Sequence, residues 1–196
     1  MTLARGDTAI ETPRLTLRRL RPDDLAFITR MHADPRVRRY LGNGQPLSAE
    51  ESRTFLDNVQ ASYERTGLGP LAVVRKSDDE AIGRCGLSAM EIELPPHELA
   101  EPRVYTRPGA APAGTRTAVE HELGYTFDAA VWGHGYATEA AGAVFRYARE
   151  RLGLTRIISI IHAENAGSLG VARKLGLERE DTVRMAGRSF DRYRWP

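Results

Sequence analysis

The stretch from Tyr125 to Ala140 constrains this chain more than any other part of the sequence. Alternating residues end at Phe127, a turn containing Gly133 and Gly135 follows, and a long amphipathic segment begins at Tyr136. This pattern predicts a strand that passes through a glycine turn into a helix. The first backbone N–H groups of a helix have no partner within it and lie at the positive end of its dipole. The turn is therefore a predicted phosphate-binding site.

Length and composition narrow the classes to which the chain can belong. With 196 residues, 41% hydrophobic and 28% charged, it has the composition of one ordinary globular domain. The formal charge of +2 predicts neither a nucleic-acid nor a membrane partner. Cys85 is the only cysteine and the five histidines show no ligand spacing, so no disulfide and no metal site is expected. Without a signal peptide or an apolar run of spanning length, we expect a cytoplasmic protein.

The order of predicted elements is strand, two helices, three strands, helix, strand, helix and two closing strands. Arg14 to Arg19 alternates as a first strand, and Ser48 with Glu51 has the capping-box pattern of a second helix. The apolar run from Ile157 to Ile161 is typical of a central strand covered on both faces. Segment 88–118 contains five of the eleven prolines and breaks this rhythm. We predict it to be an inserted loop within a single domain, 1–196, whose fold covers about 11–195.

Five motifs in this order resemble the GNAT superfamily of acetyl-CoA-dependent N-acetyltransferases, and within it the ribosomal-protein N-terminal acetyltransferases. The motifs are Pro13-Arg14-Leu15-Thr16-Leu17-Arg18, Ile82-Gly83-x-x-Gly86-Leu87, Glu122-Leu123-Gly124-Tyr125, Trp132 to Ala140, and Asn165-Ala166-Gly167-Ser168. The resemblance implies an α/β fold with a mixed, mostly antiparallel central sheet that is flanked by helices and splayed at the acetyl-CoA site. It implies acetyl-CoA as co-substrate, an amine acceptor, and a monomer or homodimer.

The resemblance also assigns residues to acetyl-CoA. The pyrophosphate is expected on the backbone of the turn, at Gly133, His134, Gly135, Tyr136, Ala137 and Thr138. The pantetheine arm is expected to pair, as an added strand does, with the backbone of Tyr125, Thr126 and Phe127. Asn165 is expected to bond the same arm, although its position also suits a helix cap.

Catalytic candidates follow from the needs of acetyl transfer, which are a neutral amine, a stabilised oxyanion and a proton for the leaving thiolate. Ser168, which the resemblance also places in the acetyl-CoA site facing the sulfur, is the candidate acid, with helix capping as its other interpretation. Glu122 is the candidate base; Glu120, two residues earlier on the same strand face, is the alternative, and either could be a solvated strand carboxylate. By analogy with the family that the chain resembles, backbone N–H groups near Leu123 to Tyr125 are the expected oxyanion donors.

The acceptor is open at this stage. An N-terminal α-amine is the first expectation, because it is far more often neutral near pH 7 than a lysine. A small-molecule amine such as an antibiotic or polyamine, or an acetyl-CoA-binding module without turnover, are the alternatives. Arg36, Arg38 and Arg39 could bind RNA or ribosomal protein, or form a solvated helix end. Glutamates of the insertion could instead favour cationic amines: Glu91, Glu93, Glu98 and Glu101.

Overall fold

The computed structural model describes residues 10–94 and 101–195 of the chain. The strands in this part are β1 Ile10–Glu11, β2 Leu15–Arg19, β3 Pro70–Arg75, β4 Glu80–Glu93, β5 Val104–Tyr105, β6 Thr117–Phe127, β7 Ile158–Ile161, β8 Glu178–Met185 and β9 Arg188–Arg194. The helices are α1 Leu25–Ala33, α2 Pro35–Arg38, α3 Ala49–Thr66, α4 Tyr136–Glu150 and α5 Ala166–Lys174. The predicted order of the longer elements is confirmed, and the structure adds three short ones to it: β1, α2 and β5.

The strands form one sheet in the order β1-β2-β3-β4-β6-β7-β9-β8, with β5 paired to β4 outside this path. Neighbouring strands along the path run antiparallel, except that β6 and β7 run parallel. This is the mixed, mostly antiparallel sheet flanked by helices that the sequence predicts. Parallel strands have their C-terminal ends at the same edge, so the turn after β6 and the start of α5 after β7 lie at one edge of the sheet.

Local signals in the sequence fix where the helices begin and end. The predicted capping box is present at α3, where Ser48 Oγ accepts the Glu51 N–H at 3.1 Å and Glu51 Oε2 accepts the Ser48 N–H at 2.7 Å. The same helix ends at Gly67, whose φ of +74° favours glycine. The apolar stripe of α4 is buried, with Ala140 and Ala148 at 0% exposure, which holds the helix on the sheet.

The predicted inserted loop, 88–118, is shorter than expected. β4 continues to Glu93, and β6 already begins at Thr117, so both ends of the segment belong to strands. The reason is a change of buried face along β4. Cys85 and Leu87 are buried on one face, whereas further along the strand Met90 and Ile92 are buried on the other. This change interrupts the alternation from which a strand is recognised in a sequence.

Candidate active site

The turn after β6 has the geometry of an anion site. Gly133 and Gly135 have φ of +82° and +79°, the left-handed region in which glycine is favoured. A Cβ at Gly133 would meet no atom within 4 Å, so the space in front of the turn is open. The first bond of α4 joins the Glu139 N–H to the Gly135 carbonyl at 3.1 Å. The preceding N–H groups therefore lie at the free end of the helix, and they belong to Tyr136, Ala137 and Thr138.

Arg14 and Glu139 hold this turn in place. Glu139 Oε1 accepts the Arg14 backbone N–H at 3.0 Å and the Thr12 hydroxyl at 2.6 Å, while Arg14 Nε donates to Oε2 at 2.6 Å. Arg14 Nη1 also donates to the His134 carbonyl at 3.0 Å. The guanidinium lies 4.5 Å from the centre of the Tyr136 ring and is half exposed beside the predicted pyrophosphate site. The sequence analysis did not identify Arg14 as a site residue, although its motif contained it.

His134 lies in the turn with its ring directed back at the protein. Its Nδ1 lies 3.0 Å from the Trp132 carbonyl and 3.3 Å from the Val131 carbonyl. The ring also stacks on Tyr136, with 5.9 Å between the ring centres. The backbone of His134 is thus part of the turn, whereas its imidazole shapes the turn from within.

Strands β6 and β7 separate soon after they meet. Glu122 and Ile158 are the one paired position between them in the described residues. Beyond it, side chains replace the ladder: Ser159 Oγ donates to the Leu123 carbonyl at 2.8 Å, and the Glu122 carboxylate accepts the Ile160 N–H. The Leu123 carbonyl and the Ile160 N–H thus have side-chain partners where the ladder between the two strands ends. The splayed sheet expected from the resemblance is present.

The register shows which backbone groups face the gap. The Asp128 N–H donates to the Ile82 carbonyl, so even-numbered residues of β6 bond to β4 and odd-numbered residues face β7. Thr126 therefore directs its backbone at β4. The Phe127 carbonyl faces the gap, but the Trp132 indole N–H donates to it at 2.9 Å. Of the three predicted pantetheine contacts on β6, the N–H and carbonyl of Tyr125 are the best placed.

Asn165 and Ser168 lie on the other side of the gap. The Asn165 side chain accepts the Ser168 N–H at 3.1 Å and caps α5, which is the structural role considered for it. The Tyr125 hydroxyl crosses from β6 to donate to the Ser168 carbonyl at 3.2 Å. Ser168 thus takes part in this cap only through its backbone N–H, which bonds to Asn165. Its hydroxyl has no hydrogen-bond partner in the described part of the chain. The structure brings Tyr125, Asn165 and Ser168 together.

Glu122 lies on the opposite face of β6 from Tyr125. Its carboxylate folds over Gly124, where a Cβ would come within 3.2 Å of Oε2. Removal from water raises the pKa of Glu122 to about 7, against the opposing effects of the Arg84 charge and the Ile160 N–H. Burial likewise lowers the pKa of Arg84 to about 10, which leaves it charged at neutral pH. Glu122 is therefore a carboxylate that can accept a proton near neutrality.

Glu120 has a different environment on the same face. Its Oε1 is 3.1 Å from Arg156 Nη2 and 3.2 Å from Arg192 Nη1, and its side chain is 12% exposed. Two arginines therefore hold Glu120 as a structural ion-pair partner, and neither makes such a contact with Glu122. The geometry separates the two carboxylates that the sequence left as alternatives.

The described carboxylates of the insertion have hydrogen-bond or ion-pair partners in the segment itself or in β8. Glu91 accepts the Gly109 N–H at 2.9 Å and the Thr117 hydroxyl at 2.6 Å, and Glu93 accepts the Arg103 N–H at 3.2 Å. Glu101 lies 3.5 Å from Arg184 in β8. Glu98 lies outside the described residues. These contacts close the segment on itself and on β8, which gives no support to the idea that it attracts cationic amines.

The site combines an anion-binding helix start, a gap between parallel strands and a carboxylate beside that gap. Such a site is typical of a protein that binds an extended, phosphate-bearing ligand next to a proton acceptor. The sequence matches the acetyltransferase (GNAT) domain family over residues 14–178, and the chain belongs to that family. It is an acetyl-CoA-dependent N-acetyltransferase.

Individual relatives agree with this assignment. An uncharacterized N-acetyltransferase, p20, of Bacillus licheniformis is 25% identical over 93% of this chain and 91% of its own. An acetyltransferase structure from Agrobacterium tumefaciens has a TM-score of 0.71 at 25% identity, covering 100% and 98% of the two chains. A ribosomal-protein-S5-alanine acetyltransferase of Vibrio fischeri has a TM-score of 0.68 at 15% identity and 96% coverage of both, which shows a shared fold.

In the described part of the chain, no helix has both the length and the apolar character required to cross a bilayer.

Proposed function

We propose that this enzyme transfers the acetyl group of acetyl-CoA to the N-terminal α-amine of a protein or peptide, by direct attack in a ternary complex in the cytoplasm. The observation that carries the proposal is Glu122 at the gap between β6 and β7, with a pKa of about 7 and a backbone N–H as its partner. Across the gap lie Asn165 and the hydroxyl of Ser168, which has no hydrogen-bond partner among the described residues. Together these groups supply a proton acceptor on one side and a proton donor on the other.

The residues fit acetyl-CoA at three places. The turn from Gly133 to Thr138 provides the N–H groups and helix end for the pyrophosphate, with the Arg14 charge beside it. The open backbone of Tyr125 provides one donor and one acceptor for the pantetheine amides. Asn165, at the start of α5, lies on the far wall of the same gap. The thioester supplies an activated acetyl group, and the rest of the chemistry belongs to the chain.

Proton transfer is the task of Glu122 and Ser168. Glu122 accepts the proton that the attacking amine releases, directly or through water, as the new C–N bond forms. Of the expected oxyanion donors near Leu123 to Tyr125, the Gly124 N–H is directed at β4, so the N–H groups of the odd-numbered residues, which face the gap, would stabilise the negative charge on the carbonyl oxygen. The C–S bond then breaks, and Ser168 Oγ–H gives its proton to the departing sulfur. The amide and the free thiol are the products. The proton on Glu122 passes to solvent, and Ser168 takes one proton back from solvent, so both side chains return to their starting states.

The pKa of Glu122 favours an α-amine as acceptor. An α-ammonium has a pKa of about 8, so its proton passes to a carboxylate near 7 at a cost of about 1.4 kcal/mol. A lysine ammonium at about 10.4 would require roughly 4.6 kcal/mol for the same transfer. The fold shared with a ribosomal-protein-S5-alanine acetyltransferase is consistent with a polypeptide acceptor. The single-carboxylate arrangement is therefore better matched to an N-terminus than to a lysine side chain.

The test is thiol release from acetyl-CoA with a panel of acceptors: peptides with free N-termini, the same peptides with a blocked N-terminus and one lysine, aminoglycosides and polyamines. We expect kcat/KM to be higher for peptides with free N-termini than for the other acceptors. A higher kcat/KM for an aminoglycoside or polyamine would show that the proposed acceptor is wrong, while the enzyme would still be an N-acetyltransferase.

Ser168→Ala tests the acid. The cap on α5 uses the Ser168 backbone N–H, which alanine retains, so the fold and the acetyl-CoA Kd should be unchanged. We expect kcat to fall by about a hundredfold or more, as is typical for loss of a general acid. An unchanged kcat would remove Ser168 from the mechanism and leave it as a capping position.

A further inference from the structure

A cleft lined by arginines opens beside α2, and its lining includes no residue of the phosphate-binding turn. It encloses about 450 Å³ between α2, the loop after it at residues 43–45, and the β8–β9 turn. Three of its lining side chains are arginines, Arg36, Arg39 and Arg188, and no acidic residue lines it within the described ranges 10–94 and 101–195. A chain whose formal charge is only +2 thus concentrates positive charge in one concave place.

Two of these arginines are fixed in orientation. Asp34 binds Arg36 through both carboxylate oxygens, with its Oδ1 3.0 Å from Arg36 Nε and its Oδ2 2.6 Å from Arg36 Nη2. Arg188 Nη1 donates to the Arg39 carbonyl at 3.1 Å and to the Gly42 carbonyl at 3.4 Å. A Cβ at Gly44 would come within 2.8 Å of that same nitrogen, so glycine at this position allows Arg188 to enter the cleft.

Positive charge in the cleft is only partly neutralised. Asp34 offsets Arg36, but Arg39 and Arg188 make no ion pair in the described parts of the chain. The Arg39 side chain is exposed and lies over the ring of its neighbour Tyr40, at 5.1 Å from the centre. A guanidinium that is held without a carboxylate partner presents its donors to an external anion.

Aromatic contacts connect the cleft to the active site. Tyr40 follows Arg39 in the chain, and its ring centre lies 5.2 Å from that of His162. His162 directly follows β7, three residues before Asn165, and also contacts Phe190 at 5.6 Å. The cleft therefore adjoins the edge of the sheet at which β6 and β7 separate.

A second connection runs through buried charge on the Glu122 face of the sheet. Arg38 of α2 is 9% exposed, and its charge helps to lower the pKa of Arg84. Arg84 in turn acts on the pKa of Glu122. The helix that lines the cleft is thus in electrostatic contact with the proposed base. An acceptor that reaches Glu122 from this side would lie with its remaining atoms toward the cleft.

We propose that this cleft binds an anionic group, a carboxylate or phosphate, carried by the acceptor at a distance from the reacting amine. Arg39 and Arg188 donate to the anion, and Arg36 adds to the field. The inference rests on the proposed function, since it places the acceptor at Glu122, and it deepens that function by specifying the charge of the acceptor. The cleft, which contains no residue of the phosphate-binding turn, would then select the acceptor by its charge.

The test compares acceptors that differ only in charge. One arm uses amidated peptides with free N-termini and either Glu or Gln at their second to fourth positions, and the other compares glucosamine 6-phosphate with glucosamine. Binding is measured by calorimetry on protein saturated with CoA, and turnover by thiol release. We expect the anionic member of at least one pair to bind about tenfold more tightly, with a preference that weakens as salt is raised.

The variants are Arg39→Gln, Arg39→Lys and, as control, Arg65→Gln at the exposed end of α3. Arg39→Gln should abolish the preference through KM, with kcat and the acetyl-CoA KM unchanged, and Arg39→Lys should retain part of it. Arg65→Gln removes the same charge elsewhere and should change nothing.

Equal binding of anionic and neutral acceptors, or equal loss in Arg39→Gln and Arg65→Gln, would overturn the proposal and leave the acetyltransferase reaction intact. A different outcome is also possible, in which protein saturated with CoA binds anionic acceptors more tightly but no amine releases thiol from acetyl-CoA. That result would support anion binding in the cleft and refute the proposed function.

Discussion

Glu122→Gln exchanges a carboxylate that titrates for an amide of the same shape that does not. The pKa of Glu122 is raised from its ordinary 4.5 to about 7, which corresponds to about 3 kcal/mol of preference for the protonated form in the folded chain. That value already contains the attraction of Arg84. Because the Glu122 side chain keeps some contact with solvent, we expect its contribution to the free energy of unfolding to be about 2 to 3 kcal/mol.

The sign follows from proton binding. Between pH 4.5 and about 7 the folded chain holds a proton on Glu122 that the unfolded chain has lost, so stability falls as pH rises. The contribution is fully present below pH 4.5 and lost above about 7. The Glu122→Gln substitution removes this dependence and still offers an oxygen to the Ile160 N–H. The variant should therefore gain stability relative to the wild type as pH rises, by roughly 4–12 °C in Tm.

The assay is urea unfolding of both proteins at pH 5 and pH 8, and the measured quantity is the change with pH of the difference in unfolding free energy. Glu120→Gln is the matched control from the same strand face. It breaks contacts with Arg156 and Arg192 and should destabilise at both pH values. A difference between Glu122→Gln and wild type that is the same at pH 5 and pH 8 would refute the reasoning about burial.

The activity of the wild type should rise with pH, whereas its stability falls. In the wild type, kcat/KM should rise with pH up to about 7 as Glu122 loses its proton, and Glu122→Gln should lack this limb at a much lower rate. Glu120→Gln should keep the limb. Survival of the limb in Glu122→Gln would assign it to another group.

The sequence predicted the parts of this molecule that depend on local signals. The capping box at Ser48, the helix after Gly135 and the strand in the apolar run 157–161 follow from short-range rules. The structure has each of them, although Ile160 within the run is only partly buried. The end of β4 was missed because Met90 and Ile92 are buried on the other face from Cys85 and Leu87. Which face is buried depends on long-range packing, which no local window contains.

The site shows the same division. The turn can be recognised from its glycines, but the pairing of Arg14 with Glu139 joins residues 125 positions apart. The choice between Glu120 and Glu122 likewise depends on Arg156, in the connection before β7, and on Arg192 of β9. Sequence alone names candidate chemistry by residue type, whereas the charges around each carboxylate decide its protonation.

Two further predictions concern the walls of the site. Glu139→Gln weakens the contacts that tie Arg14 to the turn, so we expect the acetyl-CoA Kd to rise several-fold with a small loss of Tm; titration calorimetry measures it, and an unchanged Kd would show that the turn holds its shape alone. Asn165→Ala removes the cap of α5 and should cost about 1 kcal/mol in urea unfolding, whereas Asn165→Asp should retain it. If Asn165 also bonds pantetheine, acetyl-CoA binding will fall in Asn165→Ala by more than in the matched capping variant Ser48→Ala, which destabilises α3 far from the gap. Equal binding by these two variants would leave Asn165 with capping as its whole role.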